Sequence, residues 1–304
     1  MTFVSAFFLA RRFAVPLALD YRDEWNLRPP SFVQPSRFGK RWENRILALA
    51  STVLFATEGL RDLYAVTSGA TENSKHHFAP NGWDPEDFEA ASAISRQAES
   101  RSKFTISFVG RSGPHTDPAQ FLESFSAVMN RSADLRQCIV VRFVGPKTSE
   151  SEIALVRIRD HFPECIELSG PVPKDTAVAE ILDADTVLLL LDPFFSTAVP
   201  GKLFEYIAAD KPVLVYGDCG VAADLVRELG AGLVVPSGDT AALDAALRQL
   251  LREPLEHWRT AKRQNWIQAH TREALSLHML AIMANTIGKH SPAERDLSMV
   301  GHNG

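Results

Sequence analysis

The sequence predicts an α/β chain of two doubly wound, parallel-sheet domains, the first of them incomplete. Three observations carry this. Short uninterrupted apolar runs, Thr186-Val-Leu-Leu-Leu-Leu191 above all, are bounded by turn residues, as strands buried on both faces are. From Phe104 onward such runs alternate with helical stretches at the spacing of strand–helix–strand units. Before residue 89 the same pattern supplies only three strands, where a doubly wound sheet normally has more. The 304 residues suit about two domains. The expected bounds are 1–88 for the first domain, 89–102 for a polar, alanine-rich linker, 103–254 for the second domain, 255–290 for closing helices and 291–304 for a frayed tail.

The elements follow in order. Phe3, Phe7, Ala10 and Ala14 recur at helical spacing, so the opening reads as an amphipathic helix. Its arginines follow the apolar part, unlike those of a signal peptide. Val15–Asp20, Ser51–Ala56 and His76–Ala79 read as strands, the loop 26–39 as Pro-, Arg- and Ser-rich, and Lys40–Leu49 as a helix. Arg37, Lys40, Arg41 and Arg45 stand near Phe32, Phe38 and Trp42, so this stretch is a solvated face or a contact to an anionic membrane. Strands are expected at Phe104–Val109, Cys138–Val144, Ile166–Leu168, Thr186–Leu191, Val213–Gly217 and Gly232–Val235, with helices between them. Leu255–Ile287 reads as long helical sequence.

The formal net charge of −5 argues against general nucleic-acid binding. No run nears the ~18 apolar residues of a membrane helix. Cys138, Cys165 and Cys219 lie far apart and read as small core residues in a reducing cytoplasm.

The stretch Asp192–Leu214, DPFFSTAVPGKLFEYIAADKPVL, carries the chemistry. A loop of small and rigid residues, Ser196 to Gly201, leads from a buried strand into a helix. Backbone N–H groups at such a helix start converge on one spot and hold phosphate. Lys202 in the first turn opposes the helix dipole unless an anion lies between. Glu205, one turn on, would repel phosphate but accept hydrogen bonds from a ribose diol. The same stretch also reads as an ordinary helix start with two surface charges. Gly110-Arg-Ser-Gly113 after a strand is a second anion-binding candidate, with Arg111 offering a fork to a phosphate oxygen. Asp20, Arg22 and Asp23 at a strand's carboxyl end read as a salt-bridged turn that could also line a cleft.

Together these residues resemble the GT-B glycosyltransferases, specifically the retaining family 4 type, the glycosyl transferases group 1. The family's donor segment carries two glutamates eight positions apart around a glycine-bearing loop. Glu205 matches the second, and Thr197 stands where the first would be, a departure shared by branches with a PGKLFEY-like segment. Asp20-Tyr-Arg-Asp-Glu-Trp25 resembles the family's "DxRDxW" segment, Pro80-Asn-Gly-Trp-Asp84 with Phe88 its "PNGxD…F" crossover segment, and Val109-Gly-Arg111 its "fvGr" turn.

The resemblance implies two Rossmann-like domains. It implies metal-independent, retaining transfer of a hexose from a nucleoside-diphosphate sugar, UDP before GDP, to a glycan or lipid-linked acceptor in cell-surface or exopolysaccharide biosynthesis. The expected place is the cytoplasm, peripherally at the inner face of the membrane. It assigns Arg111 and Lys202 to the leaving diphosphate, and Gly110, Thr197, Ala198, Val199, Gly201, Leu203 and Glu205 to the nucleotide sugar. Val172 and Pro173 fall to the base, and Asp20, Arg22 and Asp23 to the cleft. No cofactor and no metal site are expected, since Asp183-Ala-Asp185 precedes its strand instead of following it. The strand–helix units that carry the family's acceptor loop and reactive-site histidine have no match before Asp20. A chain inactive alone, a nucleotide-sugar-binding remnant, or a subunit of a split enzyme is the alternative.

Overall fold

The structure, a computed structural model, describes residues 2–26, 36–67, 75–95 and 103–288. Residues 27–35 of the expected loop, 96–102 of the expected linker and the tail 291–304 lie outside the described residues, and residues 37–39 of that loop belong to a helix instead. The chain divides into two units, residues 1–81 with 272–304, and residues 82–271.

The first unit contains α1 (Thr2–Phe13), β1 (Ala18–Tyr21), α2 (Arg37–Leu49), β2 (Thr52–Phe55), α3 (Glu58–Thr67) and β3 (His76–Phe78). The strands form a parallel sheet in the order β1-β2-β3. The central β2 is buried along its whole length, as its unbroken apolar run requires, whereas β1 alternates, with Leu19 and Tyr21 inward. Ser36 caps α2 by accepting the Gly39 N–H. A buried polar cluster fastens the unit: Tyr64 donates to Glu43 at 2.6 Å and Tyr21 at 3.4 Å. Burial pushes the Glu43 carboxyl up, against the pull of these donors.

The second unit runs through α4 (Pro85–Ser95), β4 (Phe104–Val109), α5 (Ala119–Arg131), α6 (Ala133–Cys138), β5 (Ile139–Val144), α7 (Ser149–His161), β6 (Ile166–Ser169), α8 (Lys174–Asp183), β7 (Thr186–Leu190), α9 (Gly201–Ala208), β8 (Val213–Tyr216), α10 (Val221–Leu229), β9 (Gly232–Val235), α11 (Thr240–Arg252) and α12 (Ala261–Ala269). The last helix, α13 (Arg272–Gly288), belongs to the first unit. The six strands are all parallel in the order β6-β5-β4-β7-β8-β9. Alternate residues of the strands feed two cores. Phe108, Phe143, Leu190 and Tyr216 pack with α5, α7 and α11 on one face, and Val109, Val144, Leu189 and Val215 with α9 and α10 on the other.

Several expectations need correction. Residues 89–95 are not linker but the body of α4, which packs on α8. Ala91 is fully buried there and Phe88 packs on Trp83, so an alanine-rich stretch with good helix propensity is held by tertiary contact. Cys138 ends a short helix and is exposed, instead of opening a strand in the core. The long helix expected after Leu255 breaks into a 3₁₀ turn at Leu255–Trp258 and two helices. Thr260 caps the first of these through the Arg263 N–H.

Candidate functional site

The strand order of the second unit reverses direction between β4 and β7. Open α/β sheets place ligands outside the carboxyl ends of the strands at such a point. Two loops meet there, Gly110–Asp117 after β4 and Leu191–Pro200 after β7. The helix that follows β7, α9, begins at Pro200–Gly201 with no side-chain cap. In contrast, Thr148 caps α7 and Asp239 caps α11. Among the described residues, no side chain takes up the first-turn amides of α9, of which the Leu203 N–H already donates to the Pro200 carbonyl.

Lys202 lies in that first turn. Its aliphatic stem spans the end of β4, so that the ammonium, carried by a helix on one face, sits 4.0 Å over the ring of Phe108, which belongs to the other face. Gly110 makes this passage possible, because a Cβ there would come within 2.9 Å of Lys202 Nζ. The ammonium is buried and makes no hydrogen bond among the described residues. Desolvation pulls its pKa down to about 8, while the charge of Glu205 acts in the opposite direction. A buried cation with an aromatic face beneath it but no hydrogen-bond acceptor is an incomplete arrangement, which an anion at the same spot would complete.

The surrounding contacts lock the two loops together. Tyr206, fully buried on α9, accepts the Val109 N–H at 2.9 Å and donates to the Val109 carbonyl at 3.1 Å, pinning α9 to the end of β4. His115 Nδ1 lies 3.1 Å from Asp192 Oδ2, joining the β4 loop to the β7 loop, and its ring stacks on Phe194. Asp192 also accepts the Phe194 N–H. Gly220, at φ +89, packs so closely under the β7 loop that a Cβ would lie 2.5 Å from the Ser196 carbonyl. The sequence alone reads His115, near the diphosphate turn, as a loop residue and gives Asp192, Tyr206 and Gly220 no role. A histidine in a loop and a tyrosine in a helix carry no local signal of such partners.

The assigned residues separate into distinct places. Gly110, Arg111, Thr197, Ala198, Val199, Gly201, Lys202, Leu203 and Glu205 belong to the β4 turn, the β7 loop and α9. Arg111 is exposed, and its carbonyl accepts the Thr116 hydroxyl, which closes the turn. Leu203 is wholly buried and anchors the helix instead of facing solvent. Val172 and Pro173 follow β6, two strands from β4, and Val172 packs on the same core as Val199. Asp20, Arg22 and Asp23 stand in the first unit. Arg22 pairs with Asp20 at 2.8 Å and donates to the Ala79 and Pro80 carbonyls, tying the ends of β1 and β3. Lys147, the first lysine after Arg111, is engaged elsewhere, donating to the carbonyls of Gly145 and Ser169. Asp185 accepts the Thr105 N–H and Asp183 the Ser95 hydroxyl, at the other end of the sheet. Among the described residues, no three His, Cys, Asp or Glu side chains come together as a metal-ligand set.

This strand order with its switch-point loops is the architecture of Rossmann-like domains. Residues 103–253 match the family Glycosyl transferases group 1, so the chain carries a glycosyltransferase domain of that group. No protein of curated function matches the chain by sequence. Among solved structures, an α,α-trehalose-phosphate synthase (UDP-forming) from Burkholderia vietnamiensis is 17% identical over 96% of this chain and 71% of that one, with a TM-score of 0.70. The Anabaena protein HepE in complex with UDP is 14% identical over 93% and 76%, with a TM-score of 0.71. Sucrose-phosphate synthase from Thermosynechococcus elongatus is 17% identical over 93% and 70%, at 0.66. At these identities the likeness establishes the fold, which is that of the GT-B glycosyltransferases.

The lowered pKa of Lys202 predicts a pH dependence. An anion binds the protonated form, so affinity for UDP should hold at neutral pH and fall above about 8, approaching tenfold per unit. Stability moves the other way. The unfolded chain keeps this proton up to the ordinary lysine value of about 10.5, so this group makes folding more favourable as pH rises between the two values. Titration calorimetry between pH 7 and 9.5 checks it, and an affinity flat through pH 9 would remove Lys202 as the phosphate partner.

Proposed function

We propose that this chain binds a nucleoside-diphosphate sugar, UDP before GDP, at the β4–β7 switch point. From there it transfers the hexose, with retention, to a glycan or lipid-linked acceptor in cell-surface or exopolysaccharide biosynthesis, acting in the cytoplasm. The observation that carries this reading is the buried, hydrogen-bond-free ammonium of Lys202 beside Gly110, at the start of an uncapped helix in a glycosyltransferase domain. The solved structures of HepE with UDP and with UDP and glucose, and of UDP-forming synthases on the same fold, support the choice of donor.

The chemistry follows from charge. As the sugar–oxygen bond breaks, negative charge grows on the departing diphosphate, and preorganised donors stabilise it. Lys202, Arg111 and the amides at the start of α9 supply that stabilisation in this proposal. Asp183 and Asp185 stand at the other end of the sheet, on the Ser95 hydroxyl and the Thr105 amide. Glu205, one turn behind Lys202, accepts the ribose hydroxyls. Val172 and Pro173 pack against the base.

The test separates the roles. Glu205→Ala should lose about 1.5–3 kcal/mol of binding to UDP and to uridine alike, since a charged hydrogen-bond partner is removed from the sugar. Arg111→Ala should weaken UDP far more than uridine, with a loss that shrinks as salt rises. Titration of each variant with both ligands is the measurement. A Glu205→Ala chain that binds as tightly as the parent, or an Arg111→Ala chain that loses nucleoside and nucleotide equally, contradicts the assignment. Transfer from labelled UDP-sugars to a lipid-extract acceptor tests the reaction itself.

A further inference from the structure

We propose that His115 and Asp192 form a clasp across the crevice between β4 and β7 and act as positioning residues for the donor diphosphate, an inference that rests on the donor-site reading above. The sheet shows where the crevice opens. β4 pairs with β5 along its whole length, from Phe104 to Val109, but with β7 only at Ile106 and Ser107. Beyond that point the ladder between β4 and β7 ends, and Val109 turns both its backbone groups to the Tyr206 hydroxyl. Lys202 passes through this place, over Phe108 and beside Gly110. The base of the crevice is thus built from α9, and its rim from the two loops.

The rim needs its own tie. The turn that carries Arg111 is anchored toward β5, which flanks β4 on the side opposite β7. The Ser112 N–H donates to the Pro146 carbonyl, and the Thr148 N–H to the Ser112 carbonyl. His115 reaches the other way. Its Nδ1 lies 3.1 Å from Asp192 Oδ2, and its ring stacks on Phe194 with the centroids 6.0 Å apart. Beside a carboxylate, Nδ1 carries the proton, so the imidazole donates in either charge state. Asp192 is itself fixed, because its Oδ1 accepts the Phe194 N–H at 2.9 Å. Thr116 passes the restraint on, its hydroxyl donating to the Arg111 carbonyl at 2.6 Å. The contacts therefore run from Asp192 through His115 and Thr116 to Arg111.

The His115 and Asp192 side chains are only 27% and 28% exposed, so solvent screens the pair less than it would a surface one. Without the clasp, Arg111 and Lys202 would stand on loops that move separately. An anion spanning both would bear the cost of bringing them together, and the clasp removes that cost in advance. A nucleoside without phosphates gains nothing from it.

Titration of the full chain with UDP and with uridine reads the effect. His115→Ala and His115→Phe, the second keeping a ring on Phe194, should each weaken UDP by roughly fivefold or more and leave uridine within a factor of about two. His115→Asn, whose amide nitrogen can donate to Asp192 as Nδ1 does, should recover most of the loss. In the His115→Ala background Arg111→Ala should cost less than it does in the parent, as coupled groups do. Without nucleotide, trypsin should cut after the exposed Arg111 several times faster in His115→Ala than in the parent. Alanine and phenylalanine variants that bind UDP like the parent, equal losses of UDP and uridine, additive costs with Arg111→Ala, or an unchanged tryptic rate would each overturn the proposal. A parent that binds UDP while its His115 variants do so equally well removes this inference alone. A parent that binds no UDP removes the donor-site reading, and this one with it.

Discussion

Lys202→Met should make the protein more stable and nearly abolish its nucleotide binding. Methionine fills the channel past Gly110 and lies against Phe108 without a charge to desolvate. The shift of Lys202 from 10.5 to about 8 corresponds to roughly 3 kcal/mol held against folding at neutral pH. Losing the cation–π contact returns about 1–2 kcal/mol of that. A net gain of about 1–2 kcal/mol, or a few degrees in Tm, is expected. UDP affinity should fall by a hundredfold or more, since a charged partner of the diphosphate is removed from a buried place. Thermal melts and calorimetry on one preparation check both arms. A variant that is destabilised, or that binds UDP like the parent, means that the ammonium is a structural group and not a ligand for phosphate.

The second large effect is at the other end of the same helix. Arg263, wholly buried, donates to the carbonyls of Ile207 at 2.9 Å, Lys211 at 2.7 Å and Trp258 at 3.1 Å, and faces Asp210 at 3.6 Å. It satisfies the orphan carbonyls where α9 ends and complements the negative end of the dipole. Asp210, at φ +59, turns the chain there toward β8. Burial pulls the guanidinium down to about 10, opposed by Asp210, and it remains a cation at neutral pH. Arg263→Ala would leave a cavity, several unpaired carbonyls and an acid facing them. The expected loss is about 3–5 kcal/mol, roughly ten degrees in Tm for a unit of this size. Urea unfolding measures it, and a loss below about 1 kcal/mol would mean that water replaces the guanidinium at little cost.

Much of this was readable from local pattern. The strand runs around Phe104, Thr186 and Val213 are apolar without interruption because both faces of a parallel sheet are covered, and that requirement is written residue by residue. The loop that enters α9 was readable as a helix start for a similar reason. Small residues, Pro200 and Gly201 followed by Lys202 and Glu205, describe a helix start with its own chemistry. By contrast, residues 89–95 have the composition of a linker, and their helix is decided by the burial of Ala91 and Phe88 against α8 and Trp83.

The meeting of partners was not readable. Lys202 and Gly110, Tyr206 and Val109, and His115 and Asp192 are brought together only because β4 and β7 become neighbours across the whole length of chain between them. Lys147 is the first lysine after Arg111, yet two carbonyls at the end of the sheet hold it, and Lys202, to which the resemblance gives the diphosphate, lies beside the β4 turn. Propensity and periodicity act over one turn or one strand, and they suffice for elements and for a helix that begins uncapped. Which side chains share the space outside two strand ends depends on strand order and on the close approach a missing Cβ allows. Those are properties of the packed sheet, in which contacts are made without regard to distance along the chain.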